Sequence, residues 1–210
     1  MVVIGAKGHA LEILDVLNFN NQVSDIYFFD NISKTSELIS INQFPLLRTE
    51  EELGRQFKKN SFFVLGIGNP DVRKKMADYC IKLGGTIQSV ISEDAYISSL
   101  GVSLGEGLNI MHRVIIQPEV KIGTGSLINT CAVIHHHSNI GEYCEICPGA
   151  IITGNVQIGN NTFIGSGAVI LPGIKIGKNV KVGAGAIVTK NILDNITVAG
   201  NPAKLINKKA

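Results

Sequence analysis

The sequence predicts two architectures in series: an α/β unit built on a short parallel sheet, then a parallel β-helix of hexapeptide repeats. Three observations predict it. Every sixth position from Leu104 to Val188 is aliphatic. The positions two residues before these are small or β-branched, apart from Leu108. The first 92 residues instead alternate short apolar runs with helix-periodic ones.

The front half begins with the apolar strand Val2-Val3-Ile4, followed by the turn Gly5-Ala6-Lys7-Gly8-His9-Ala10. Leu11, Ile13, Leu14, Val16 and Leu17 then recur at helical spacing. Ile26–Phe29 reads as a second strand ending at Asp30-Asn31, and Phe62–Leu65 as a third running into Gly66–Asn69. A helix starts near Pro70, with proline in its first turn, and carries Val72, Met76, Tyr79 and Cys80 on one face. Thr86 to Ile91 is expected to close the unit as a fourth strand. Strands alternating with helices imply a parallel sheet.

From about residue 98 the period is six. The aliphatic series is Leu104, Ile110, Ile116, Ile122, Ile128, Ile134, Ile140, Ile146, Ile152, Ile158, Ile164, Ile170, Ile176, Val182 and Val188. The second register, from Val102 through Ser126, Ala132, Ser138 and Cys144 to Ala186, shares its face, because residues two apart on a strand point the same way. Glycines just after the aliphatic position, such as Gly105, Gly123 and Gly141, are expected to serve turns with unusual dihedrals. Three short strands make a triangular coil of eighteen residues. About five coils at an inter-strand spacing of ~4.8 Å give a prism roughly 24 Å tall. Its open ends need cover, expected from the α/β unit at one end and the tail at the other. The expected division is 1–92, 93–190 and 191–210.

An apolar fraction of 45% and positive mean hydropathy place the chain among globular proteins. A net charge of +2 gives no concentrated basic face for nucleic acid. No apolar run reaches the ~18 residues of a membrane span, and no signal peptide is expected, which points to the cytoplasm. Cys80, Cys131, Cys144 and Cys147 are expected as free thiols. Cys144 and Cys147 spell C-x-x-C, but Cys144 already fills an inward position of the repeat.

In a prism, residues eighteen apart stack on one edge. Pro118, His136, Gly154 and Pro172 therefore form one corner. A corner histidine projects outward, either solvated or poised as a general base, since imidazole exchanges protons near neutral pH. Gly154, next on that corner, would let a thioester approach and offers an N–H to an oxyanion, or is simply a turn. The run His135-His136-His137 raises a metal site between subunits, but adjacent side chains diverge and no metal is expected. In the front half, the turn Gly5–Ala10 lies between strand and helix, where free N–H groups favour anions. Asp30 and the loop Gly66–Asn69 lie at the carboxyl ends of strands, where parallel sheets bind ligands. Together these suggest a phosphate-bearing ligand; the alternative is turns that serve only the fold.

The opening VVIGAKGHA, FFD near residue 30, GIGNPDVR at 66–73, NTCAVI at 129–134 and VAGNPAKLI at 198–206 resemble the sialic-acid and bacillosamine-type sugar acetyltransferases of the hexapeptide group. The resemblance spans essentially the whole chain. It implies left-handed winding, acetyl-CoA as co-substrate, and a homotrimer with active sites between subunits. It also implies a UDP- or dTDP-linked 4-amino-4,6-dideoxy sugar whose amine attacks the thioester directly. His136 then matches the catalytic histidine. Gly154, Ser166, Ala184 and Lys204 fall to the CoA, and Gly8, His9, Asp30, Asn31, Gly68 and Asn69 to the nucleotide-sugar. Two departures stand out. His137 replaces the acidic residue usual after the catalytic histidine, and Glu145 replaces a histidine nine residues on. Both are counted as catalytic candidates: either Glu145 orients or charges the histidine pair, or His136 matters less than in relatives and substrate positioning supplies most of the rate. The alternatives are an O-acetyltransferase of a sialic-acid-like sugar and a metalloenzyme of the γ-carbonic anhydrase kind.

Overall fold

A computed structural model describes residues 1–34, 41 and 43–206. The front unit is a five-stranded parallel sheet in the order β3-β2-β1-β4-β5. Its strands are β1 (Val2–Ile4), β2 (Tyr27–Phe29), β3 (Leu46–Leu47), β4 (Phe62–Leu65) and β5 (Thr86–Ile87). Helices α1 (Gly8–Phe19), α2 (Glu50–Lys59) and α3 (Pro70–Lys82) complete it. The sequence reading passed over β3 and α2, although α2 opens on a capping box in which Thr49 accepts from the Glu52 N–H.

The expected fourth strand over 86–91 divides. Thr86–Ile87 joins the α/β sheet, whereas Val90–Ile91 pairs with Asn109–Ile110 as the first strand of the prism. The prism has three faces. The strand positions of one face begin at Val90, Asn109, Leu127, Glu145, Phe163, Lys181 and Thr197, so the chain winds six times rather than five. Fourteen of the fifteen aliphatic positions are buried and Leu104 is packed at the end of the core. Three hydroxyls share that interior. Ser126, Ser138 and Thr162 donate to the carbonyls of Gly141, Thr153 and Gly177 at 2.8, 2.8 and 2.9 Å. Each accepts from a backbone N–H eighteen residues on, so none is left unpaired and each ties its coil to the next.

The recurrent glycines have a different reason from the one expected. Gly123 keeps a negative φ, but a Cβ there would stand 2.7 Å from the Glu142 nitrogen in the coil above. Close stacking of coils demands the glycine. Left-handed φ falls two residues later, on glycines and on Arg113, Cys131, His137, Asn155 and Asn161.

The α/β unit leans on a side face of the prism instead of closing its end. Val90, Met111 and Leu127 enter the same core as Ala10, Ile13 and Leu17 of α1. Asn20 donates to the Ile91 carbonyl at 2.7 Å and accepts from the Glu93 N–H at 3.1 Å. At the first coil, Ile91, Ala95, Ile97 and Val102 remain only partly buried. The far end is closed by the hairpin of Thr197–Ala199 with Lys204–Leu205, the only antiparallel pairing among the described strands. The remainder of the expected tail, 207–210, lies outside the described residues.

Candidate active site

In the α/β unit β1 pairs with both β2 and β4, the point where strand order reverses. A cleft of ≈ 340 Å³ opens there, between the ends of β1 (Ile4–Lys7), β2 (Phe29–Ser33) and β4 (Gly66–Gly68), with His9, Val72 and Met76 completing its wall. Gly8 starts α1 beside it with open space where a side chain would be. Ala10 and Leu11 donate their N–H groups to Lys7 O at 2.8 and 3.2 Å, which leaves those of Gly8 and His9 at the helix start as the anion donors. Gly66 lets the loop close over α1: a Cβ there would meet Ala10 Cβ at 2.8 Å and Val3 Cγ1 at 2.9 Å. Gly66→Ala is expected to cost about 1–3 kcal/mol through overpacking, measured by denaturant unfolding, and to weaken nucleotide binding with it.

Three of the nominated substrate residues are already engaged. Asp30 Oδ1 accepts from the Ile32 and Ser33 N–H groups at 2.9 and 2.8 Å, and Oδ2 from the Ser33 hydroxyl at 2.8 Å. Burial works to raise this carboxyl, but those bonds and the Arg48 guanidinium outweigh it and hold the group below the ordinary aspartate range. Asp30 thus shapes the loop that carries Asn31. His9 is packed between domains: Nδ1 pairs with Glu12 Oε2 at 2.7 Å, and Nε2 with Asn109 Nδ2 at 3.0 Å. An amide nitrogen can only donate, so Nε2 accepts and Nδ1 carries the proton. Burial lowers the His9 pKa, against the pull of Glu12. Asn69 caps α3, accepting from the Val72 N–H at 3.1 Å. It lines a second groove of ≈ 460 Å³ with Glu145, Phe163, Asn179 and Lys181.

On the prism, His136 and His137 are exposed at a corner. Their Nδ1 atoms lie 3.0 Å apart and their rings meet edge to face at 87°. Gly154 stacks on His136 as the eighteen-residue period requires: a Cβ there would stand 2.8 Å from Nε2. Among the described residues no acceptor pairs with the Gly154 N–H. Ser166 and Ala184, eighteen apart, stack on a different edge, and both are exposed, as is Lys204 on the closing hairpin. Glu145 does not meet the histidine pair within the chain. It belongs to the face that carries the α/β unit, whereas His136 turns the corner between the other two faces. Its neighbours are Gly68, Arg73, Glu12 and Cys147. Burial raises its carboxyl to about 7, opposed by the charge of Arg73.

Arg73 is not among the site residues nominated from the sequence. Fully buried, it donates through Nε to Gly125 O at 3.0 Å and through Nη1 to Leu65 O and Ile67 O at 3.1 and 2.7 Å. Only the GIGNPDVR motif marked it beforehand. Asn109 had no signal beyond a polar residue where the repeat allows an outward one. All four cysteines are free thiols. Among the described residues no cluster of His, Cys, Asp and Glu is arranged to hold a metal, and no helix is long and apolar enough to cross a membrane.

A left-handed prism of hexapeptide coils, an imidazole on its edge and a parallel-sheet cleft at its side define an acyltransferase of the hexapeptide-repeat class. Residues 1–80 match the PglD N-terminal domain family, and 137–171 and 155–190 match the bacterial transferase hexapeptide family. The chain belongs to the hexapeptide-repeat sugar acetyltransferases. It is 30% identical to the acetyltransferase domain of PglB from Neisseria gonorrhoeae, solved with acetyl coenzyme A, over 98% of both chains at a TM-score of 0.88. PerB from Caulobacter crescentus, solved with CoA and GDP-perosamine, is 29% identical over 98% of this chain and 96% of that one, at a TM-score of 0.88. A mutant of GDP-perosamine N-acetyl transferase from the same bacterium is 28% identical over 99% and 96%, at 0.87.

Proposed function

We propose that the chain transfers the acetyl group of acetyl-CoA to the amine of a nucleoside-diphosphate-linked 4-amino-4,6-dideoxy sugar. In this reading residues 1–92 bind the nucleotide-sugar, 93–190 hold the CoA, and the stretch from 191, described as far as 206, closes the prism. The observation that carries it is the exposed His136 stacked beneath Gly154, on a prism whose side unit holds a cleft suited to a diphosphate. Relatives solved with CoA and GDP-perosamine, or with acetyl coenzyme A, support both halves.

The working assembly is a homotrimer. Support comes from the outward residues of the three faces. One face is covered by the α/β unit. A second presents Ser103, Lys121, Asn139, Gln157 and Lys175. The third presents Tyr96, Ile115, Val133, Ile151, Val169 and Ile187, an uninterrupted apolar stripe. Turning that stripe toward a threefold axis brings the His136 corner of one subunit against its neighbour's edge of Ser166 and Ala184. It also brings the corner toward the neighbour's cleft and Glu145. The active site is then shared, which reconciles the separation of Glu145 from His136 within one chain.

At that shared site His136 accepts the proton of the attacking amine. The tautomer with His136 Nδ1–H donating to His137 Nδ1 leaves Nε2 unprotonated beside Gly154, so His137 does the orienting that an acidic residue performs in relatives. The Gly154 N–H meets the developing oxyanion. Ser166, Ala184 and Lys204 contact the CoA arm, and Gly8, Asn31, Gly68 and Asn69 the nucleotide-sugar, with His9 and Asp30 shaping its cleft. Both substrates are cytoplasmic metabolites, which sets the compartment.

The test is acetyl transfer from acetyl-CoA to UDP-, dTDP- and GDP-linked 4-amino-4,6-dideoxy sugars, followed by thiol release, with thermal shifts in parallel. A ligand present at 100 Kd raises stability by about 2.7 kcal/mol. Stabilisation by acetyl-CoA and by one nucleotide is expected. Stabilisation by acetyl-CoA with no response to any nucleotide overturns the cleft assignment and favours a free-sugar O-acetyltransferase.

A further inference from the structure

We propose that Glu145, at the rim of the nucleotide cleft, takes the proton from the ammonium form of the acceptor amine. The proposal rests on the acetyltransferase reading above. It adds a second proton acceptor to the one on the prism corner.

The argument starts from place. Glu145 lines the groove that Asn69 shares, and a Cβ built on Gly68 would stand 3.4 Å from Glu145 Oε1. Gly68 is itself the rim of the nucleotide cleft. No side chain therefore separates that rim from the carboxylate. A sugar leading away from a diphosphate at the start of α1 and passing Gly68 arrives at Glu145.

The surroundings of this carboxylate are unusual for a merely structural one. Arg73 is fully buried with three donors spent on carbonyls, and its Nη2 has no partner. Asn109 is fully buried too; its Nδ2 donates to Leu65 O at 2.6 Å, the carbonyl that Arg73 Nη1 also meets, while its Oδ1 is unpartnered. Buried polar atoms left open are rare, and a buried cation opposite a half-buried carboxylate is costly to maintain.

Protonation fits the place. The groups that face Glu145 are Glu12 from α1, Arg73 from α3 and Cys147 from the prism, with Asp71 and Lys181 lining the same groove; His9 and Tyr143 face Arg73 in turn. Burial raises the carboxyl and Arg73 opposes the rise, leaving it at about 7. A carboxylate in that range exchanges protons at neutral pH, as a general base must.

The step balances as follows. The Glu145 carboxylate accepts one proton from R–NH3+, giving R–NH2 and a neutral carboxylic acid. The amine lone pair forms the C–N bond at the thioester carbonyl, and Nε2 of the partner subunit's His136 accepts the second proton. The C–S bond breaks, the departing CoA thiolate takes the proton back from Glu145, and the imidazolium releases its own to water.

Glu145→Gln is expected to lower kcat about 10²-fold or more at pH 7 with the KM for the nucleotide-sugar little changed, and Glu145→His to recover much of the loss. The acid limb of kcat should fall below about pH 7 in the unaltered protein. It should move to higher pH in Arg73→Met, because removing the cation disfavours the carboxylate, and stay in place in Arg73→Lys. An infrared titration of isotopically labelled glutamate reads the same carboxyl without any turnover, and in the unaltered protein decides the matter even where Arg73→Met does not fold. Its neutral acid band should vanish near pH 7. Acetyl transfer within twofold of normal in Glu145→Gln at every pH, or a carboxyl already ionised at pH 5, overturns the proposal. Absence of transfer to any nucleotide-linked amino sugar by the unaltered protein overturns the acetyltransferase reading instead.

Discussion

His136→Ala is expected to lower kcat/KM for acetyl transfer about 10²–10⁴-fold, the contribution of a positioned proton acceptor. The loss should appear in kcat, because binding of nucleotide and CoA draws on other residues. Stability should hardly move: the side chain is exposed, and its one hydrogen bond is to its equally exposed neighbour His137. Unfolding curves that overlay those of the unaltered protein, beside a collapsed kcat, are the expected pair of results. His137→Ala should cost less, since it frees the tautomer of His136 without removing the base. A rate within tenfold of normal in His136→Ala would move the chemistry away from this corner.

The second large effect is on assembly. Ile151 and Val169 stack in the middle of the apolar stripe. Placing lysines at both should break the proposed trimer, because a charge desolvated in an apolar interface costs several kcal/mol and each 1.4 kcal/mol is a tenfold change in association. Sedimentation should show folded monomers. They should still bind nucleotide, since the cleft lies wholly within one chain. Acetyl transfer should fall at least about 10²-fold, since His136 would lose the neighbouring cleft. An active monomer would refute the shared site; an inactive trimer would point to damage at the prism surface.

The prism was legible because its physics is periodic. One aliphatic position per six residues fixes the inward face, and one coil per eighteen stacks Gly154 on His136. Both follow from counting. The placement of the α/β unit did not, since Asn109, Leu127 and Tyr143 occupy outward positions whose partners lie far away in sequence. Glycine was read for its freedom of φ where the need was backbone contact between coils. The short strand Leu46–Leu47 and the polar helix after it had too little apolar periodicity to see. In the candidate site, Asn31 and Gly68 line the cleft and Gly8 starts α1 beside it, positions that follow from strand ends and turns alone. What His9 and Asp30 do there was not readable, because it depends on which partners already satisfy them.

The pairing register of the prism also says where such a chain can change length. Interior strands pair at offsets of eighteen, as in Ile115 with Val133 or Gln157 with Lys175. The offset is nineteen at the start, where Val90 pairs with Asn109, and sixteen at the finish, where Lys181 pairs with Thr197. Irregular turns sit where a coil has a single neighbour to match. An insertion inside the stack must therefore arrive as a whole turn of eighteen residues. Each added turn would lift the later edge residues by ~4.8 Å along the axis without rotating them. The fold thus works as a ruler: relatives can tune the reach between acyl donor and acceptor in fixed increments while every catalytic side chain keeps its compass bearing.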